Sequence, residues 1–276
     1  EIDRLLDDLV TVFADRNGQL ARDSFRQLAG AVKRFARSTL DATAPRRLVV
    51  LEPLRVRITN MAAPEVVEAP HFPADAARGS RRLPFHSVIY IERSDFKEAD
   101  EPDFFGLAPG KMVGLKYAKV IRCTGVERSA ADGGLITGLT AEIVSEEQLQ
   151  AAEAAQRAAG VSKKKSRMGY IHWVCSASPA AEPLRVEVRL YEHLFTARDP
   201  SALEDWEKHV NPSSERVIHD AVAESALAGV DELDACQFER QGFFVVDKDS
   251  TAARPVFNRT VTLKESSVKK QLAAAH

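Results

Sequence analysis

Three segments carry residues whose types could hold a flat, hydrogen-bonding ligand. QFERQGFFVVD (237–247) opens with Gln237 and Arg240, which flank Phe238 just ahead of a strand-forming run, Phe243 to Val246. An Arg supplies only hydrogen-bond donors, whereas a Gln amide supplies both a donor and an acceptor. APRR (44–47) sets a proline of fixed φ before two guanidinium groups, Arg46 and Arg47. HFP (71–73) is a rigid, aromatic-flanked turn ending in Pro73, and the basic GSRR (79–82) follows it. Each segment is weak alone. Together they describe a scaffold offering Arg, Gln and rigid apolar walls. Unpaired bases are held that way: splayed out, stacked and hydrogen-bonded along their edges. A basic run, SKKKSR (162–167), adds candidate phosphate contacts at Lys163, Lys164 and Lys165, with a solvated linker as the competing reading.

Covalent chemistry is not legible. Phosphate-loop, dinucleotide, nucleophile-elbow and zinc-protease patterns are missing from the sequence. The 7 histidines are dispersed, and none pairs with Cys or His at ligand spacing. His172, beside Trp173 in IHWV, reads as part of a packed aromatic strand. ADRNGQLARDSF (14–25) faintly resembles a calcium loop, but its first ligand position falls on Phe13 and Ser24 stands where a bidentate Glu is needed. A helix–turn–helix is the better reading there.

Lys and Arg total 38 against 40 Asp and Glu, which excludes a wholly basic nucleic-acid binder and confines any such site to a local patch. The 3 cysteines, Cys123, Cys175 and Cys236, form neither a disulfide framework nor a metal spacing, so a reducing, intracellular compartment is expected. No apolar run approaches the roughly 20 residues of a membrane helix, and no signal peptide opens the chain. It begins EIDRLLDDLV with no initiator Met and reads as a piece of a longer protein.

The elements that would position these residues are mostly strands. Helical spacing over 1–13 and a second helix over 23–41 come first. After Pro45, short alternating segments follow: LRVRIT (54–59), SVIYIE (87–92), MVGLKYAKVI (112–121), LRVEVRLYEHLF (184–195), FFVVD (243–247) and RTVTL (259–263). Turn chemistry separates them, as in LAPGK and SAADGG. Many short strands with polar loops predict an antiparallel barrel or sandwich. Two helices interrupt them, SEEQLQAAEAAQRAA (145–159) and SALEDWEKHV (201–210), each opening on a capping box. EPLRVRI (52–58) and EPLRVEV (182–188) are near-identical, which a duplication or chance would explain.

The segments APRR-LVVLEPLRV-ITN (44–60), P-HFP-----GSR-LPF (70–85), IYIERSDFKE (89–98), LAPGK-VGL (107–115), IHWV (171–174), VEVRLYEHLF (186–195), QFER-GFF (237–244) and VFNRTVTLKE (256–265) carry a family resemblance. In this order and spacing the chain resembles the C-terminal anticodon-binding region of glutaminyl-tRNA synthetases, which are class I aminoacyl-tRNA synthetases. The LAPGK-VGL and VTLKE forms resemble the eukaryotic branch, which implies the cytosol. The resemblance implies a mainly β fold of two antiparallel β-barrels with an N-terminal α-helical segment. Residues 1–43 would form the helical connection, 44–98 plus 196–268 the proximal barrel, 99–195 the distal barrel with an insertion at 144–168, and 269–276 a tail.

The resemblance also assigns roles. Arg46, Pro73, Gln237 and Arg240 would line the pocket for the second anticodon base, a uracil. Lys116 would bind in the distal barrel, where an Arg is usual and makes a planar contact that Lys does not. Gly106 stands where family members carry an arginine contacting the third base, and Asp103 also departs from the pattern. Lys111, Lys116, Lys119 or the basic run would then compensate. Class I ATP-binding signatures are absent from the sequence. No cofactor is expected in this chain, and ATP and Mg are implied for a catalytic domain outside it. The implied partners are glutamine tRNA and the catalytic domain of the same polypeptide, with other synthetases of a complex as a further candidate and no membrane. Two alternatives stay open: a free-standing RNA-binding module and a protein-interaction platform that has lost base reading.

Overall fold

The computed structural model describes residues 22–131, 133–160, 168–197 and 203–263, with side chains from residue 30 onward. The expected helix at 1–13, Lys163, Lys164 and Lys165 of the basic run, the Ser201 cap and the tail 269–276 lie outside the described residues.

Helix α1 (Arg22–Thr43) ends where the Ala44 N–H donates to Leu40 O at 2.8 Å and Pro45 forbids a further turn. The strands then run twice through one pattern. The first pass opens with a strand broken at Leu48, giving β1 (Arg46–Arg47) and β2 (Val49–Val50). Next come β3 (Pro53–Ile58), an arm of β4 (Glu65–Pro70) and β5 (Ser80–Phe85), and β6 (Val88–Glu92). A meander follows: β7 (Met112–Leu115), β8 (Val120–Arg128) and β9 (Ile136–Ile143).

Helix α2 (Glu146–Ala158) intervenes, held by the Ser145–Gln148 capping box that the sequence predicts. The second pass opens with a strand broken at His172, giving β10 (Tyr170–Ile171) and β11 (Trp173–Cys175). The pair β12 (Leu184–Tyr191) and β13 (Glu215–Ala223) follows, then the meander β14 (Ala235–Phe238), β15 (Gly242–Val246) and β16 (Val256–Val261).

The two large sheets are β10-β7-β8-β9-β3-β6-β11 and β1-β14-β15-β16-β12-β13-β2. Each begins and ends on the two halves of one broken strand, so each closes into a barrel. In each case the closing strand belongs to the other pass. The β1–β2 strand closes the barrel of β12 to β16, and β10–β11 closes the barrel of β3 and β6 to β9. Strand membership thus departs from the 44–98 plus 196–268 and 99–195 partition: β3 and β6 lie with β7 to β9, and β12 lies with β13 to β16. The exchange of closing strands puts segments close in sequence into different barrels.

The barrels are also not purely antiparallel. β1·β14, β12·β16, β10·β7 and β3·β9 pair in parallel, because these contacts join segments not linked by hairpins. The two EPLRV stretches turn out to be counterparts. β3 and β12 each lie between one antiparallel neighbour (β6, β13) and one parallel neighbour (β9, β16). In β3, Leu54, Val56 and Ile58 point into the core while Arg55 and Arg57 face out to Glu127, as period-two alternation requires.

Two local expectations change. MVGLKYAKVI is not one strand: it turns at 116–119, where the Leu115 N–H donates to Lys119 O at 2.8 Å and Tyr117 adopts φ 65°. SALEDWEKHV is not a full helix among the described residues but a 3-10 turn at Trp206–His209, where Trp206 packs edge-on against Phe195 at 6.1 Å. No helix among the described residues is long and apolar enough to cross a membrane.

Candidate nucleic-acid interface

Strand β1 is two residues long, and its register against β14 sets Arg46 beside Gln237 and Arg47 beside Phe238. Phe238 points inward, fully buried and stacked on Phe244 at 4.0 Å. Arg46 and Gln237 therefore share the outer side. The Arg46 guanidinium is fixed by the end of α1: Nη1 donates to Asp41 O (2.7 Å) and Ala44 O (3.2 Å), and Nη2 to the Asp41 carboxylate (2.5 Å). Gln237 is half-buried, and its amide oxygen is buried yet accepts no hydrogen bond from any described residue. Such an unpaired acceptor costs roughly 1–3 kcal/mol unless something supplies a donor.

The tip of the β4–β5 arm completes the wall. The Arg46 N–H donates to His71 O at 2.9 Å, and the Phe72 ring lies beneath Arg46 (5.9 Å) and Arg78 (3.2 Å). Pro73 follows, exposed. The structure thus sets Arg46 beside Gln237 and ties it to the His71–Phe72 tip that leads into Pro73.

Arg240 and Lys116 stand at the seam between the barrels. Arg240 donates bidentately to Asp95 at 2.6 and 2.7 Å, and Nη1 also lies 2.9 Å from His172 Nδ1. The Asp95 hydrogen bonds hold its proton more tightly than in a free arginine. With this ion pair made, the Arg240 side chain is still 40% exposed. His172 is not merely packed: its Nε2 lies 3.4 Å from Glu92. Glu92 also accepts the N–H groups of Leu51 (2.6 Å) and Glu52 (3.1 Å) and the Gln241 amide (2.8 Å). Burial pushes the Glu92 carboxyl up, but His172 and the two backbone donors outweigh it and leave the group below the usual carboxylate range.

Lys116 touches the buried Glu239 carboxylate, to which the Tyr117 hydroxyl donates at 2.7 Å. Burial first, then the charges of Arg240, Arg46 and Arg81, push the Lys116 ammonium below the ordinary lysine range. Behind it, buried Glu224 accepts Arg81 Nε at 2.6 Å and the Leu48 N–H at 2.9 Å, with Arg47 Nε 3.7 Å away. Arg47 also meets His71 Nδ1 at 3.0 Å.

Sequence reasoning did not single out Asp95, Glu92, Glu224 or Glu239, and marked Arg81 only as part of the basic GSRR, because nothing local marks a carboxylate or guanidinium for burial. Of the cations proposed to compensate for Gly106, Lys111 is paired with Asp100 at 2.5 Å and Lys119 with Glu65 at 3.0 Å. Position 106 has no room for a side chain: a Cβ there would lie 2.3 Å from Asp95 O and 2.4 Å from the Phe104 ring. Asp103, in the same loop, adopts φ 65°.

Two family models describing the anticodon-binding domain of class I tRNA synthetases (E and Q) match the chain, at residues 44–143 and 170–247. These intervals follow the two strand passes. The chain is 44% identical over 235 residues to a glutamine–tRNA ligase of Lupinus luteus, covering 83% of this chain and 28% of that protein. It is 42% identical over 236 residues to the cytoplasmic glutamine–tRNA ligase of Arabidopsis thaliana, with the same coverage of 83% and 28%. Against the glutamine–tRNA ligase of Ralstonia pickettii it is 37% identical over 264 residues, covering 93% of this chain and 42% of that protein. The chain thus spans less than half the length of these curated relatives.

Proposed function

Since the chain belongs to the family of anticodon-binding domains of class I tRNA synthetases (E and Q), we propose that it reads the anticodon loop of glutamine tRNA as part of a glutamine–tRNA ligase. The observation that carries the reading is the Gln237 amide oxygen, buried without a donor among the described residues, beside the fixed Arg46 guanidinium. A uracil edge offers two carbonyl acceptors and one N–H. The N–H would satisfy Gln237, and the carbonyls would take donors from Arg46 and Arg240, with Pro73 and the Phe72 tip as apolar wall. A cytosine would turn an acceptor toward the Gln237 oxygen and an amine toward an arginine. Such mismatches cost roughly 1–3 kcal/mol each.

Lys116 supplies positive charge at the seam, and Lys163, Lys164 and Lys165 supply phosphate contacts in this reading. The chain holds the anticodon arm, and ATP- and Mg-dependent joining of glutamine to tRNA belongs to the catalytic domain of the same polypeptide. The cytoplasmic relative supports a cytosolic setting. Association with other synthetases is a separate proposal, tested by co-purification of the full-length enzyme. The pocket is tested by fluorescence anisotropy with glutamine tRNA at fixed salt. Changing its central anticodon uracil to cytosine should weaken binding about tenfold or more, which is about 1.4 kcal/mol, and Arg240→Ala should abolish the difference. Equal binding of both tRNAs, with only salt mattering, overturns the reading.

A further inference from the structure

Arg46 and Arg240 come from different passes of the chain, yet both commit their donors in the same way. A guanidinium carries five N–H groups in a rigid plane, two on each Nη and one on Nε. At Arg46 both Nη1 donors go to carbonyls, Asp41 O and Ala44 O, and one Nη2 donor goes to the Asp41 carboxylate. At Arg240 Nη1 serves Asp95 Oδ2 at 2.6 Å and His172 Nδ1 at 2.9 Å, and Nη2 serves Asp95 Oδ1 at 2.7 Å. Each arginine keeps Nε–H and one Nη2–H without a partner among the described residues. Those two groups share one edge of the plane and point the same way.

Asp95 by itself does not decide which edge of Arg240 stays free, because a carboxylate pairs with either two-donor edge of a guanidinium. His172 decides it. With Asp95 and His172 on successive sides of Nη1, the guanidinium has one orientation left to it. The His172 ring is fully buried at the break between β10 and β11. Its neighbours are tied down on both sides: Ile171 O accepts the Lys116 N–H at 2.9 Å, and the Trp173 indole donates to Lys116 O at 2.9 Å. Arginine only donates, so the Nδ1 that meets it is the unprotonated ring nitrogen. The ring proton then sits on Nε2, which faces Glu92 Oε1 at 3.4 Å. Glu92 is itself held by the Leu51 and Glu52 N–H groups and the Gln241 amide.

We propose that His172 is a positioning residue for reading the second anticodon base: its bare Nδ1 fixes the Arg240 guanidinium so that the Nε–Nη2 edge, a pure donor pair, meets a base carbonyl. The inference rests on the RNA-binding reading above. A uracil oxygen accepts from that edge, whereas a cytosine amine sets donors against donors. Arg46 is fixed by the end of α1 and needs no such helper.

The test uses the full chain and glutamine tRNA carrying uracil or cytosine at the central anticodon position. In nitrogen NMR of the histidine rings, the signals lost in His172→Asn should show a bare Nδ1 and a protonated Nε2 at neutral pH. His172→Phe keeps a flat ring but no acceptor, and should cut the uracil-over-cytosine preference about fivefold. His172→Asn places an amide oxygen near the Nδ1 position and should retain most of the preference. His172→Gln extends its amide toward Glu92 instead and should lose as much as His172→Phe. A proton found on Nδ1 overturns the proposal whatever the variants do. If His172→Phe discriminates as well as the unmodified chain while Arg240→Ala does not, the role of His172 is overturned and the pocket stands. If His172→Asn and His172→Phe lose discrimination alike, the ring only packs and the acceptor role is overturned. If the unmodified chain does not distinguish the central base, the pocket reading falls and takes the role of His172 with it.

Discussion

The two places where a closing strand breaks are built on the same plan and finished with different chemistry. At Leu48 and at His172 a strand leaves one neighbour and joins another. Beside each break stands a buried glutamate at the end of an equivalent strand, Glu224 after β13 and Glu92 at the end of β6, each leading into a 3-10 turn. Glu224 accepts the N–H of the break residue itself and compensates Arg81, whose guanidinium is as deeply buried as the carboxylate. Glu92 instead serves neutral donors, two backbone N–H groups and the Gln241 amide, with the His172 ring nearby. One break is locked by charge, the other by neutral hydrogen bonds to Glu92, with the His172 ring between it and Arg240. On matching scaffolds, one break is an ionic core and the other a support for a seam arginine.

The largest test of that contrast is stability. Glu224→Gln takes away the carboxylate 2.6 Å from buried Arg81, leaves it Glu239 at 3.9 Å, and should cost about 3 kcal/mol in urea unfolding. Glu92→Gln removes one acceptor from neutral partners and should cost about 1–3 kcal/mol. Equal losses would erase the distinction.

Next in size is a pair of glycines on the same barrel. Gly106→Ala drives a Cβ into the Asp95 carbonyl and should cost about 2 kcal/mol, because backbone must move. Gly114→Ala meets only the exposed Tyr170 ring, which can swing away, and should cost well under about 1 kcal/mol in the same assay. Smaller again is Gln237→Leu. It should reduce uracil-over-cytosine discrimination about tenfold in the anisotropy assay while barely changing the urea midpoint, since the amide oxygen has no described partner to lose.

The smallest effect is a pH slope near neutrality, and the first pass carries it. Burial, then the charges of Arg47 and Arg81, lower the His71 pKa; burial lowers that of His86 against a weaker pull from Ser176. Both take up protons less readily in the folded protein than in the unfolded chain, whose histidines titrate near about pH 6.5. The unfolded state then binds more protons, so stability falls from pH 7.5 to 5.5. Glu92 adds its loss lower, as pH falls through its depressed folded value. Urea midpoints across this range should drop, and His71→Gln should flatten part of the decline.

Much of the barrel architecture was legible because strand faces are written locally: Leu54, Val56 and Ile58 alternate with Arg55 and Arg57 in the sequence as they do in β3. The repeated EPLRV was legible as a likeness, but not as a pair of counterparts, since that depends on which strand closes which barrel. Arg46 and Gln237 became one site only through the family resemblance. No periodicity links residues that distant, and their adjacency is created by the exchanged strand. The anionic half of the site was invisible for a related reason. Asp95, Glu224 and Glu239 look like ordinary surface carboxylates until the fold buries them. His172 misled in the opposite direction, because an aromatic neighbourhood hid its polar contacts.

The exchanged strands also bear on how the molecule meets mechanical load. Each barrel is buttoned shut by a piece of the other, so neither can be peeled open while its neighbour stays whole. Pulled between handles at residues 46 and 261, the chain should rupture in a single event rather than two, a result readable directly in an optical trap. An RNA loop gripped across the seam would therefore be held between two surfaces that behave as one solid, with their separation fixed by covalent chain.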